Sequence, residues 1–247
     1  MSAIHFGLDV RSGTKYGLNI ERETYAQINK RSSSYFPRDA YPEGYWEAVA
    51  HNYDDDEHRF MSDEWCHGHQ ARALENFDLN MAYFEALDHE EFDAAVTAAV
   101  ATQKGMVEVT DLSEWKGKGG LYVMVLDDFC QAYVGVTESE GGVAGRIRQH
   151  WTSSKAFDRL LFGDVSSSIL SIDSFRALDT TRIFAAKSRN PFNLEDKIIQ
   201  ALPSKFVTNR VAGGRGDMLG FLTGLGVDVM KRRDLLAEST DEERLEK

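Results

Sequence analysis

Two apolar runs, LYVMVL at 121–126 and QAYVGV at 131–136, are separated only by the short stretch DDFC. Joined so tightly, they read as the two strands of a β-hairpin. A Gly-containing loop, ESEGGVAG, then leads into a helix carrying GRIRQHW. KAFDRLLFG reads as a further helical piece, TTRIFAA as a strand and NLEDKIIQAL as a helix. Asn193 is placed to cap that last helix, with Asp196 three residues later in a capping-box-like position. The order β, β, α, β, α predicts an α+β fold of the α/β-sandwich type, a small sheet flanked by helices.

Upstream, residues 1–45 hold short pieces such as HFGLDV and YGLNIE among Gly, Ser and Pro turns, which predicts a β-containing lead-in. From Tyr45 to Lys104 apolar residues return every three or four positions. YWEAVAHNY, ARALENFDLNMAYFEAL and HEEFDAAVTAAVATQ are the expected helices. Gly105 and the GKGG at 117–120 mark the passage to a different texture. The 247 residues, 42% of them apolar, suffice for one sizeable domain or two small ones at about 100–200 residues each. The reading divides the chain into an acidic, mainly helical region 1–110, an α+β domain 111–230 and a polar tail 231–247.

Charge follows the same division. Residues 1–110 carry 9 Lys/Arg against 20 Asp/Glu, a net of −11, whereas 111–230 carry 14 against 14. A net charge of −12 argues against a surface built for nonspecific adhesion to nucleic acid or anionic membrane. The acidic region instead suggests a surface for a protein partner or for a second copy in a homodimer. Cys66 and Cys130 cannot build a disulfide framework, which suits a reducing compartment. The start, MSAIHFGLDV, is not leader-like, and no run approaches the roughly 18 apolar residues of a membrane span, so a cytoplasmic location is expected.

The chemistry-bearing residues cluster in the second half. The odd spacing of 11 between Tyr122 and Tyr133 allows both phenols to share one face of the hairpin. Arg146 and His150, four apart, share one face of a helix. A guanidinium fork matches a phosphate oxygen pair, and its charge is independent of pH. Two further clusters invite metal readings. CHGH at 66–69 offers zinc ligands but no second ligand pair, and DDDEH at 54–58 reads as a solvated charged turn.

GLY at 120–122, YVG at 133–135 after ten residues, RIRQH with Arg146 and His150, and Glu195 in LEDKII together resemble the GIY-YIG nuclease family. Leu121 and Val134 stand where the family has isoleucine. The likeness covers about residues 118–210. It implies a GIY-YIG-like domain with Tyr122 as general base, Tyr133 supporting water and phosphate, and Arg146 clamping the scissile phosphate. His150 would take a proton or contact phosphate, and Glu195 would hold one Mg²⁺ or Mn²⁺ ion. Asn209 lies fourteen residues beyond Glu195, near the place of a family Asn that contacts phosphate. Arg148 and Arg215 are further candidate nucleic-acid contacts, and Gly213 and Gly214, turn formers first, would allow close backbone approach to a strand. Because a phenol's ordinary pKa is about 10, a base role needs cations nearby, which Arg146 and a metal would supply. The implied activity is metal-dependent endonucleolytic hydrolysis of DNA, of restriction-like or phage-defence type. The alternatives are an RNA-cleaving toxin or defence effector, and an inactive module that binds nucleic acid or protein.

Overall fold

The computed structural model describes residues 2–11, 17–27, 38, 43–152, 170–188 and 192–209. Strands β1 (Ser2–His5) and β2 (Leu8–Arg11) are followed by helices α1 (Arg22–Tyr25), α2 (Tyr45–Val49), α3 (Asp63–Glu85) and α4 (His89–Ala101). Then come β3 (Val107–Glu108), β4 (Gly120–Leu126), β5 (Gln131–Thr137), α5 (Gly142–Thr152), β6 (Arg182–Lys187) and α6 (Phe192–Ala201). The fold is α+β. The main sheet runs β3-β6-β4-β5 with every pair antiparallel, and β1 and β2 form a separate hairpin.

Strand β4 lies between β6 and β5 and is buried at every position. Successive side chains of a strand point to opposite faces, so a continuous apolar run requires cover on both. On one face Tyr122, Met124 and Leu126 pack with Val143, Ala144, Ile147 and Trp151 of α5 and with Tyr83 and Phe84 of α3. On the other, Leu121, Val123 and Val125 pack with Phe92, Val96 and Ala99 of α4 and Ile198 of α6. The hairpin turns through a 3-10 turn, Asp127–Phe129, closed by Cys130 in the left-handed region at φ 46°. The outer edge of β5 is covered by the segment beyond α6. Val207 bridges Ala132 in parallel and the Thr208 amide donates to the Ala132 carbonyl at 2.9 Å.

The expected boundary near residue 110 lies inside this packing rather than between two units. Leu8 and Val10 of β2 share a core with β4 and α5, and α4 supplies one whole cover of the sheet. Polar ties reinforce the joint. Buried Asp179 accepts from the Ile20 amide at 2.9 Å, the Asn19 side chain at 3.2 Å and the Arg176 amide at 2.6 Å. Burial pushes that carboxyl above its ordinary range, and these three donors oppose the rise.

Two helix starts differ from expectation. α3 begins at Asp63, eight residues before the expected Ala71, because Ser62 caps it by accepting from the Trp65 amide at 3.1 Å. CHGH therefore lies within the first two turns of that helix. α6 begins at Phe192, so Asn193 is inside its first turn and is not the cap. The expected helical piece 155–163 lies outside the described residues, as do Gly213, Gly214, Arg215 and the tail. Among the described residues no helix is long and apolar enough to cross a membrane.

Phe92 is 1% exposed and its ring meets Phe206 edge-on at 5.3 Å. Phe92→Ala is expected to cost the whole protein about 3–5 kcal/mol in a single unfolding transition followed by urea. Loss of α4 signal alone, with the sheet unaffected, would show that the acidic half is a separate unit.

Candidate active site

The pairing register sets the two phenols. Tyr122 faces Gly135 across the hairpin and Met124 faces Tyr133, so the tyrosines share a face on a diagonal, with ring centroids 6.2 Å apart. Gly135 is the shelf that makes this possible. A Cβ there would stand 2.5 Å from the Cζ and Oη of Tyr122 and 2.8 Å from a ring carbon of Tyr133. Tyr122 is fully buried on the central strand, whereas Tyr133, on outer strand β5, is half-buried.

Helix α5 packs over that face. His150 points inward, 4% exposed, and its Nε2 lies 2.9 Å from the Tyr122 hydroxyl. The ring meets Tyr133 edge-on at 5.0 Å. One turn earlier Arg146 is exposed and donates to the Gln149 side-chain oxygen at 3.1 Å, while its charge reaches both phenols. Arg148, two residues before His150 and so about 200° round the helix, is exposed and turned away from the phenols.

His150 has a second partner that sequence reasoning missed. Its Nδ1 lies 2.5 Å from Oδ1 of Asp173, in the single turn Ile172–Ser174. Buried Arg176 holds this turn against the end of α5, donating to the Asp173 carbonyl at 2.7 Å and to the Trp151 carbonyl at 3.3 Å. The one available signal was indirect: a histidine buried beside a phenol calls for a group that orients it.

Burial holds the Tyr122 phenol well above its ordinary pKa, neighbouring Tyr133 adds to the rise, and Arg146 opposes it without cancelling it. Tyr133 is raised too, again by burial first, with Arg146 opposing and Glu195 and Asp173 adding. Both phenols therefore rest neutral, and Arg146 alone does not make the phenolate that a general-base role requires.

Glu195, in the first turn of α6, is buried and acts on both phenols although α6 covers the opposite face of the sheet. Burial first, and Asp196 second, push its carboxyl up to about 7. Among the described residues it has no hydrogen-bond or ion-pair partner, and the adjoining Asp196 Oδ1 is buried without one. A desolvated carboxylate lacking a counter-charge fits a hard divalent ion that keeps most of its waters. Among the described residues no group of three or more His, Cys, Asp or Glu could enclose a metal.

The other residues singled out by the sequence fall elsewhere, and each has a local explanation. Asn209 brackets strand β5: its amide nitrogen donates to the Val134 carbonyl at 2.7 Å and its oxygen accepts from the Val134 amide at 2.9 Å. Both ends are engaged by backbone, so it acts as a strand substitute and not as a phosphate contact. His69 of CHGH stacks on Trp65 at 4.7 Å. In DDDEH, His58 stacks on Trp46 at 3.2 Å and Asp55 accepts from the Arg59 amide at 2.9 Å.

Two substitutions test this geometry. Gly135→Ala must displace Tyr122, and is expected to destabilise the protein by about 1–3 kcal/mol and to break the Tyr122–His150 contact, seen as a shifted His150 resonance. For Glu195, a folded pKa of about 7 against an ordinary 4.5 means that the fold favours the protonated acid. That contribution is complete below pH about 4.5 and is lost as pH rises through about 7. Glu195→Gln should therefore stabilise the metal-free protein by about 1–3 kcal/mol at pH 8 and by nothing at pH 4, read as a melting shift. Equal shifts at both values would place Glu195 in contact with water. No protein-family model, curated protein or solved structure matches this chain.

Proposed function

We propose that the protein is a divalent-metal-dependent phosphodiesterase that cuts DNA endonucleolytically, as restriction-like or phage-defence nucleases do. The observation that supports this best is the convergence of unlike groups around one spot. Two neutral phenols, an exposed guanidinium, a buried histidine and a desolvated carboxylate with no cation partner among the described residues come together from β4, β5, α5 and α6. An ordinary core would not assemble such a set, because each polar member adds a desolvation cost.

Each group matches one need of phosphodiester hydrolysis. Arg146, exposed and bonded to the Gln149 side chain at 3.1 Å while its charge reaches the phenols, can turn its fork onto the phosphate oxygens and oppose the charge that grows on them. The phenols and His150 handle the proton that leaves the attacking water. Glu195 would hold the Mg²⁺ or Mn²⁺ ion, with Asp196 beside it. When bound, such an ion supplies Lewis-acid stabilisation of a phosphoryl oxygen and lowers the pKa of a coordinated water.

The decisive experiment incubates supercoiled plasmid with the purified protein in Mg²⁺, alongside Arg146→Ala and Glu195→Ala. Nicking or linearisation by the parent, reduced about 10²-fold or more in either variant, is the expected result. Equal activity in all three places the chemistry elsewhere. RNA cleavage that persists in chelator, with plasmid untouched, would instead favour an RNA-cleaving effector using the 2′-hydroxyl.

A further inference from the structure

We propose that Asp173 is the positioning residue of this site: it sets the tautomer of His150, so that Tyr133 meets the attacking water and Tyr122 links it to the imidazole. The chemistry rests on the phosphodiesterase reading; the positioning role does not.

Exposure separates the two tyrosines. Tyr122 has no exposed surface, so its hydroxyl cannot itself receive a proton from a water at the surface. Tyr133, half-buried on the outer strand, can, and its ring lies beside that of Tyr122 on the same face, with centroids 6.2 Å apart. Behind Tyr122 the chain continues to His150 Nε2 at 2.9 Å and from Nδ1 to Asp173 at 2.5 Å. An ionised carboxylate only accepts, so Asp173 requires the proton of a neutral imidazole to sit on Nδ1. Nε2 is then a bare acceptor aimed at the Tyr122 hydroxyl. A Ser or Asn at 173 would not impose that direction, since either can donate as well as accept.

The arrangement also answers the electrostatic difficulty of a phenolate base. The water oxygen forms its bond to phosphorus as the bond from phosphorus to the leaving oxygen breaks. The water's proton passes to Tyr133 Oη, whose own proton passes to Tyr122 Oη, whose own passes to His150 Nε2. Both phenols end neutral, as burial demands, and the single new positive charge rests on His150 beside the Asp173 carboxylate. The leaving oxygen takes a proton from solvent, and His150 later returns its proton to solvent. Asp173, whose side chain is 20% exposed, lies on the solvent-facing side of that pair. Among the described residues, the groups that face His150 are Tyr122 from β4, Tyr133 from β5 and Asp173 from its turn; Arg146 on its own helix and Glu195 on α6 act on the phenols.

The test joins a spectroscopic and a kinetic arm on the full chain. In ¹⁵N-labelled protein, His150 should show the Nδ1–H tautomer with that proton far downfield, and Asp173→Asn should abolish the signal. In the plasmid assay Asp173→Asn should lower kcat about 10²-fold with KM within about twofold, and Asp173→Glu should recover part of the loss. Combining Asp173→Asn with Tyr122→Phe should add little to either loss, because both break one path. An Nε2–H tautomer in the resting protein overturns the proposal, as does full kcat in a folded Asp173→Asn, or losses that multiply independently. If neither DNA nor RNA is cut, the proposed function fails alone, and the tautomer still decides the positioning role.

Discussion

A hydroxyl on a strand buried from both sides must find its partner inside the protein, and Tyr122 is that hydroxyl. β4 exposes no side chain, so the phenol oxygen is committed to His150 at 2.9 Å. The histidine, 4% exposed, then needs a partner for its second nitrogen, and Asp173 supplies it. The carboxylate in turn sits in a short turn held by Arg176 to the end of the helix that carries His150. Each satisfaction creates the next requirement, from phenol to imidazole to a carboxylate that is itself partly exposed. Remove His150 and the buried Tyr122 hydroxyl loses the partner it meets at 2.9 Å.

The same sheet explains why the two tyrosines differ despite sharing a face. β4 lies inside the sheet and β5 at its side, where among the described residues the 207–209 segment covers it. Position in the sheet thus divides one pair of phenols into an inner link and an outer contact. Gly135 keeps them together, since any side chain opposite Tyr122 would occupy the volume of its ring. Glu195 acts on the phenols from the opposite layer because α6 packs through Ile198, and Leu202 just beyond its end, while its first turn stays within electrostatic reach of them.

What could be read in the sequence was what rests on local spacing. The hairpin, the Arg146–His150 face and the helix bearing Glu195 follow from periodicities of two and 3.6, and the structure contains all three. Asp173 escaped because a one-turn element in SIDSF has no period, and its link to His150 spans 23 residues. The start of α3 escaped because a cap is one serine and not a pattern. The supposed divide at residue 110 was an inference from the change of texture at Gly105 and from charge, but neither reports the core, which is shared through apolar residues such as Leu8 and Phe92. Asn209 was judged by distance along the chain, whereas its role follows from the uncovered edge of β5.

Acidity and phosphate chemistry are compatible once distance is considered. A net charge of −12 repels a polyanion from afar, yet at physiological salt that field is screened within about 8 Å. Inside that range the exposed cations are local. Arg146 stands one turn from His150, Lys187 pairs in register with Gly120 at the end of β4, and the Lys118 carbonyl receives the first turn of α5. Glu138 and Glu140, exposed in the adjoining loop, keep this field modest. A substrate would therefore be held by a few directed contacts instead of a broad basic surface. Under the proposed function such a site would gain little from nonspecific sliding and would depend on each contact it makes, foremost the guanidinium of Arg146 and the ion that Glu195 would hold.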